Sequence, residues 1–147
     1  MTARDYINSI EKEGFEIDKC LNKIERLEVL AENRSSRRYD NDRIQSSGSK
    51  DRIGDLTVKI SMEKDRLMAL IERNEAKREY FEKQIDRIDD LDYQRIIYYR
   101  HLDGMRYEDI ADLLDLSPQT VQNKHSKAMK ELFKVFVVPE SEIGRQK

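Results

Sequence analysis

Ile60, Leu67, Asn74, Phe81 and Ile88 stand seven residues apart, and Leu56, Leu70 and Leu91 fill the alternate seam position. A seven-residue repeat puts these side chains along one stripe of an α-helix and on neither face of a strand. Glu63, Lys77 and Gln84 interrupt the stripe, and Ile71 and Ile85 widen it. A helix over residues 55–90 would extend roughly 50–55 Å at 1.5 Å per residue. Asn74 on the seam either fixes register or oligomeric state, at some cost in stability, or is a plain polar lapse.

The same period runs earlier in the chain. Ile10, Ile17, Ile24 and Ala31 recur every seven, accompanied by Ile7, Cys20, Leu21, Leu27 and Leu30, which predicts a first helix over residues 4–33. Gly14 weakens its start by up to about 1 kcal/mol relative to Ala. Cys20 falls on the seam, where a small buried hydrophobe outweighs a redox sensor as the reading. Between the two helices, RSSRRYDNDRIQSSGSKDRIG loses all periodicity, and Arg34 to Arg52 holds six cations against three acids. Residues 34–54 are read as a polar loop, a solvated connector in preference to an arm on DNA phosphates or in the minor groove. Two helices across one loop predict an antiparallel hairpin or coiled coil occupying residues 1–90.

Composition supports long helices. Charged residues make up 39% of the 147 and apolar ones 37%, with five Gly, two Pro and no Trp. That is too little apolar material for a compact globule of this length, and it suits helices burying a narrow seam. With no apolar run near 18 residues and no signal sequence, the expectation is a soluble, cytoplasmic protein without a membrane partner. A single cysteine excludes a disulfide framework and a Cys-rich zinc site. No Gly-rich phosphate loop, nucleophile–base pair or metal-ligand spacing stands out, so no catalytic residue, metal or cofactor is expected and the chain is not read as an enzyme. The acidic run at Asp89, Asp90 and Asp92 is read as a helix boundary with a capping Asp, since no ligand cluster accompanies it.

The grammar changes at Tyr107. Residues 107–133, YEDIADLLDLSPQTVQNKHSKAMKELF, read as two short helices around a tight turn. Glu108, Asp109 and Asp112 load the start of the first with the charge its positive end favours. Ile110, Ala111, Leu113 and Leu114 give it an apolar side, and Asp115-Leu116 breaks it. Ser117 is a good N-cap, and Pro118 fits the first helical position because no N–H is needed there. Val121, His125, Ala128 and Leu132 then share one face of the second helix. Its opposite face carries Gln119, Gln122, Asn123, Ser126, Lys127 and Lys130.

That face has the chemistry of a DNA reader. Gln and Asn make paired donor–acceptor contacts to adenine edges in the major groove. Lys and Ser hold phosphates and set register, and the helix end at Ser117 offers free backbone N–H groups. The candidate DNA-binding residues are Ser117, Gln119, Thr120, Gln122, Asn123, Lys124, Ser126 and Lys127. Net charge is −2, yet residues 117–138 carry four Lys and one Glu, whereas residues 92–116 carry three Arg and six acids. A local excess of three cations is thin for one subunit at physiological salt, which favours an oligomer or a protein partner. The bland alternative is a helical hairpin with a solvated polar face.

Residues 91–132 resemble the fourth, promoter-reading region of sigma-70-type factors. The resemblance rests on Leu91, Arg95-Ile96 and Tyr99-Arg100, then Gly104, Glu108 to Ala111, Leu114 to Ser117, Thr120-Val121, Ala128 and Leu132. A long helical front before this module resembles phage late-gene regulators of the RinA and ArpU kind. Three departures stand out. Asp115 occupies the turn position usually held by Gly, Arg106 stands where Ser or Thr usually opens the first helix, and His125 replaces an aliphatic residue. Asp tolerates a left-handed backbone, and the missing cap costs roughly 1 kcal/mol. His125 is read as a half-buried packing residue.

The expected fold is therefore all-α: a long N-terminal hairpin or coiled coil over 1–90, a helix-turn-helix over 91–138 and a tail over 139–147. Within the module, Ile96, Tyr99 and Leu102 are expected to face the helix-turn-helix core, and the apolar end Phe133 to Pro139 to pack beneath it. Arg95 and Arg100 are left between DNA or polymerase contacts and plain surface cations. The resemblance implies a sequence-specific regulator of double-stranded DNA transcription, phage or prophage encoded, with RNA polymerase as a partner and self-association through the long helices. The competing readings are a small terminase-like packaging subunit and a protein-only helical adaptor.

Overall fold

A computed structural model of the chain describes residues 1–40 and 47–140, with side chains throughout except at 34–40, 47–51 and 53. The described residues form five helices and no strand: α1 (Ala3–Asp40), α2 (Ser47–Ile85), α3 (Leu91–Ile97), α4 (Tyr107–Leu114) and α5 (Pro118–Val135). This is the all-α architecture the periodicity predicts. The long helices continue beyond the apolar repeat, so that α1 takes in residues 34–40 and α2 takes in 47–54 of the stretch read as a loop. Arg, Lys and Ser do not stop a helix; losing an apolar stripe only means that no face is buried. The centre of that stretch and the tail from residue 141 lie outside the described residues.

Helix starts follow local chemistry. At α1, the Thr2 N–H donates to the Asp5 carboxylate at 3.0 Å while the Asp5 N–H donates to the Thr2 hydroxyl at 3.1 Å, a reciprocal cap. At α3, Asp90 accepts from the Tyr93 N–H at 3.2 Å, the capping role expected from the acidic run. α3 continues into a widened π turn, Tyr98–Leu102, in which the Asp103 N–H reaches the Tyr98 carbonyl at 3.2 Å. Gly104 then turns the chain with φ of 67°, a conformation that costs glycine nothing.

Packing divides the chain into two compact units, residues 13–74 and residues 1–12 with 75–147, so that α1 and α2 each contribute to both. In the unit of residues 13–74 the two helices are antiparallel, because Glu13 pairs with Arg73 at 3.3 Å whereas Lys23, further along α1, pairs with the earlier Glu63 at 2.8 Å; Glu28–Lys64 at 3.2 Å lies beside the latter. Cys20, Ile24, Leu56 and Asn74 are buried there, whereas Ile71, expected to widen the seam, is exposed. Cys20 donates to Glu63 and its thiol is pushed up by burial, so it stays protonated and inert. Glu63, an apparent flaw in the heptad, thus receives both Cys20 and Lys23. Glu28–Lys64 is exposed on both sides, whereas Glu13 is buried and Glu63 partly so; an exposed pair contributes about 0–1 kcal/mol, so its main effect is on register.

The other unit is built on Tyr6, Ile7, Ile10, Phe81, Ile85, Ile88, Ile97, Leu102, Ala128 and Leu132. Phe136 lies 5.6 Å from the Tyr6 ring, 6.2 Å from Tyr80 and 6.1 Å from Phe81, so the apolar end of the chain packs as expected. The two remaining polar breaks of the heptad are buried and partnered. Lys77 donates to Ser9 at 3.2 Å and sits 5.9 Å over the Tyr6 ring. Gln84 accepts from the Val137 N–H at 3.1 Å and from Arg87 at 3.2 Å. Arg87, read as a solvated cation, also donates to the Val135 carbonyl, and the Tyr80 hydroxyl donates to that of Val137.

A smaller core joins Ile96, Ile110, Ala111 and Val121, with Tyr99, Met105, Tyr107, Leu114 and Leu116 against it. Ile96 and Tyr99 are where the sequence places them. Leu102 is not: it belongs to the larger cluster beside Ile97. A π turn closes five residues on, so Leu102 follows the face of Ile97 and not that of Tyr99. Between α4 and α5, Asp115 adopts φ 56° and ψ 48°, its N–H reaching the Ala111 carbonyl, which also accepts from the Leu116 N–H at 2.9 Å. The left-handed turn expected at a non-Gly residue is present.

Two stability outcomes follow. Phe81 has no exposed surface, so Phe81→Ala should cost roughly 3–5 kcal/mol in urea unfolding. Asp115→Val should lose about 1–2 kcal/mol because a β-branched residue resists this backbone, whereas Asp115→Gly should change stability by less than about 1 kcal/mol.

Candidate nucleic-acid interface

α5 is anchored by its back. Val121, Ala128 and Leu132 are completely buried, and His125 is half-buried on the same side. Because those positions follow the helical period, the opposite side is fixed facing outward. Gln119, Gln122, Asn123, Ser126, Lys127 and Lys130 are all exposed on it, uncovered by any other described part of the chain. In 18 residues α5 extends about 27 Å, more than twice the width of a DNA major groove.

The candidate residues occupy four settings. Ser117 caps the helix, accepting from the Thr120 N–H at 3.2 Å, and the two hydroxyls share a hydrogen bond of 2.7 Å. Pro118 takes the first helical position as the sequence predicts. Gln119 donates to the Asn123 side chain at 3.2 Å, one turn along, which holds two amides in a fixed mutual orientation. Gln122, Ser126 and Lys127 face solvent. Lys124 differs: it lies against Asp92 of α3 at 3.1 Å, so part of its charge is already satisfied. The α5 face therefore divides along its length. Amides occupy the first two turns and lysines the last three.

The sequence reading passed over a feature at the lysine end. Tyr93 and Phe133 floor an open groove of about 470 Å³, edged by Lys127, Lys130 and Lys134 and by Glu131, which pairs with Lys134 at 3.4 Å. The signal was available in the spacing 127, 130, 134, which follows one helical face, but Tyr93 comes from another helix and could be placed only by the fold.

Arg100 and the histidines turn inward. Arg100 donates to the Met105 carbonyl at 3.0 Å and stacks 4.3 Å over the Tyr107 ring, so it braces the entry to α4 and is not a free cation for DNA. Arg95 stays exposed. His101 and His125 stack with centroids 5.1 Å apart and Nε2 atoms 2.9 Å apart. Burial, then the nearby His101 and Arg100 charges, push His125 down to about 4. Burial also lowers His101, against the opposing pull of Glu11, whose carboxylate lies 3.2 Å from Nδ1. Both imidazoles are neutral at pH 7, and His125 is the half-buried packing residue expected at an aliphatic position.

Residues 90–132 match the family described as Sigma-70, region 4. The matched segment starts at the Asp90 cap, takes in α3, the π turn and α4, and ends at Leu132 of α5. It accounts for less than a third of the 147 residues and speaks for the helix-turn-helix module, not for the long helices before it. Neither the curated proteins nor the solved structures hold a match to the chain. Among the described residues, no helix is long and apolar enough to cross a membrane. Geometry and family match agree on a sigma-region-4-like helix-turn-helix whose second helix presents an amide-and-lysine face.

Proposed function

We propose that this protein is a sequence-specific DNA-binding transcription regulator, phage or prophage encoded, acting at late-gene promoters. The observation that carries the proposal is the outward face of α5: six polar side chains, all exposed, with no acid among them, on a helix whose opposite side is locked in the core. In this reading Gln119, Gln122 and Asn123 meet base edges, while Ser117, Thr120, Ser126 and Lys127 hold phosphates. Lys130 and Lys134 extend the phosphate contact where α5 outruns the groove. RNA polymerase is the proposed protein partner, in keeping with the family of the matched segment.

Self-association through the long helices belongs to the same proposal. Phe15, Val29, Val58, Met62 and Met68 are each more than half exposed, which leaves apolar side chains on these helices for a second copy to cover. Two copies would also double a local cationic excess that is thin in one. Solution mass discriminates the two DNA readings: a dimer supports transcription, whereas a ring of many subunits supports DNA packaging.

The test of the reading face uses DNA selected from a random pool. Changing Gln122 and Asn123 to Ala should cost about 1–3 kcal/mol per lost base contact and erase preference for the selected site over random DNA. Changing Lys127 and Lys130 to Ala should weaken binding to all sequences alike and lower the slope of log affinity against log salt by about 2. Unchanged preference in the first variant would refute the role given to α5. Absence of DNA binding even at low salt would favour a protein-only adaptor.

A further inference from the structure

His101 and His125 are the only two histidines in the chain, and the fold brings them face to face behind the reading helix. They belong to a longer chain of hydrogen bonds. Glu11 of α1 lies 3.2 Å from His101 Nδ1, the two Nε2 atoms lie 2.9 Å apart, and His125 Nδ1 lies 3.3 Å from the Tyr107 hydroxyl. Four groups from α1, the π turn, α5 and α4 are thus tied in one line.

The protons along this line can be assigned by elimination. A carboxylate only accepts, so His101 carries its proton on Nδ1. Its neutral ring then accepts at Nε2, which requires His125 to donate from its own Nε2. His125 accepts at Nδ1, and Tyr107 donates. With both rings neutral, every contact has one donor and one acceptor. One added proton can still be housed if His125 shifts its hydrogen to Nδ1 and the Tyr107 hydroxyl turns. A second added proton sets two N–H groups against each other at a separation that only a hydrogen bond allows, and the line breaks.

The surroundings offer the doubly protonated pair little relief. Arg4 of α1 and Arg100 of the π turn are cations; among the described residues Glu11 is the carboxylate paired with the rings, and it is already engaged. Phe81 of α2 meets the His101 ring edge-on, and Ile7, Met129 and Phe133 line the adjoining cavity of about 150 Å³ with Arg4 and Asn8.

We propose that Glu11, His101, His125 and Tyr107 form a proton-sensitive latch that sets the orientation of α5, and that charging both imidazoles releases it. These are positioning residues: none lies on the outward face, and they act on DNA through the placement of Gln119, Gln122 and Asn123. The inference rests on the reading of α5 as the DNA-contacting helix. Released rings regain the ordinary histidine range near 6.5, whereas the closed latch holds them neutral. The closed state is therefore fully favoured above about 6.5 and loses ground as pH falls below it; because the closed line still houses one added proton, the loss approaches roughly tenfold per pH unit for the second.

The experiment compares the whole chain with His125→Gln, whose amide can still donate to His101 but cannot take up a proton. Hydrogen-exchange protection of the amides of residues 8–12 and 121–128 is measured at pH 7.5, 6.5 and 5.5, with the affinity ratio for selected over random DNA at each pH. For the parent chain, protection should fall about fivefold or more between pH 6.5 and 5.5 and the DNA ratio should fall with it, and His125→Gln should show a markedly shallower fall in both. The two imidazole signals, followed by NMR, should titrate as a coupled pair below the ordinary range. Equal acid sensitivity in the two proteins, or two rings titrating independently near 6.5, would overturn the latch. If neither protein prefers the selected DNA at pH 7.5, the reading of α5 fails. The protection data then decide the latch alone: an acid fall confined to the parent sustains it, and parallel falls reject it.

Discussion

The outward face of α5 depends on one packing contact, the burial of Ala128 and Leu132 against Phe81, Ile85, Ile88 and the first turns of α1. A helix has no intrinsic front. Burying positions 121, 128 and 132 gives α5 its back, and the helical period then dictates which residues are left for a ligand. Each large apolar side chain removed from water in that cluster contributes roughly 1.5–3 kcal/mol, far more than any ion pair on the surface. Orientation of the outward face is thus secured by hydrophobic burial on the far side. The polar residues near the face engage one another or a neighbour only at the Ser117–Thr120 cap, the Gln119–Asn123 pair and the Lys124–Asp92 pair among the contacts described.

Polar residues inside the seam have a different task. Lys77 and Gln84 occupy positions where a heptad calls for Leu, and both are buried. A charged or amide group in such a place is costly unless paired. Lys77 is satisfied by Ser9 and the Tyr6 ring, and Gln84 by Val137 and Arg87. These contacts tie α2 to the start of α1 and to the segment following α5. They favour one arrangement of the elements over a slide by one heptad, which apolar contacts alone would tolerate.

Much of the module was legible because its signals are local. The Ser117 cap with Pro118 behind it, the Asp90 cap and the left-handed Asp115 each depend on a few neighbouring residues, and each stands where those residues imply. The buried positions of α5 were equally plain, since period and burial are the same statement. The polar stretch 34–54 was less so. Absence of an apolar stripe does not distinguish a loop from a solvated helix, and the helices continue to Asp40 and resume at Ser47.

What the sequence determined by itself is the all-α class, the helix-turn-helix and the identity of the outward face, because helix period, capping and turn chemistry act over a handful of residues. The tertiary structure alone decided that Leu102 joins the larger core, that Arg100 turns inward onto Tyr107, and that Glu11, His101, His125 and Tyr107 meet in one line. Those facts join residues as many as 114 positions apart. Side chains so distant share no period or turn; they become neighbours only when apolar burial draws the helices together. Their chemistry is a consequence of the fold, and no reading of local pattern could contain it.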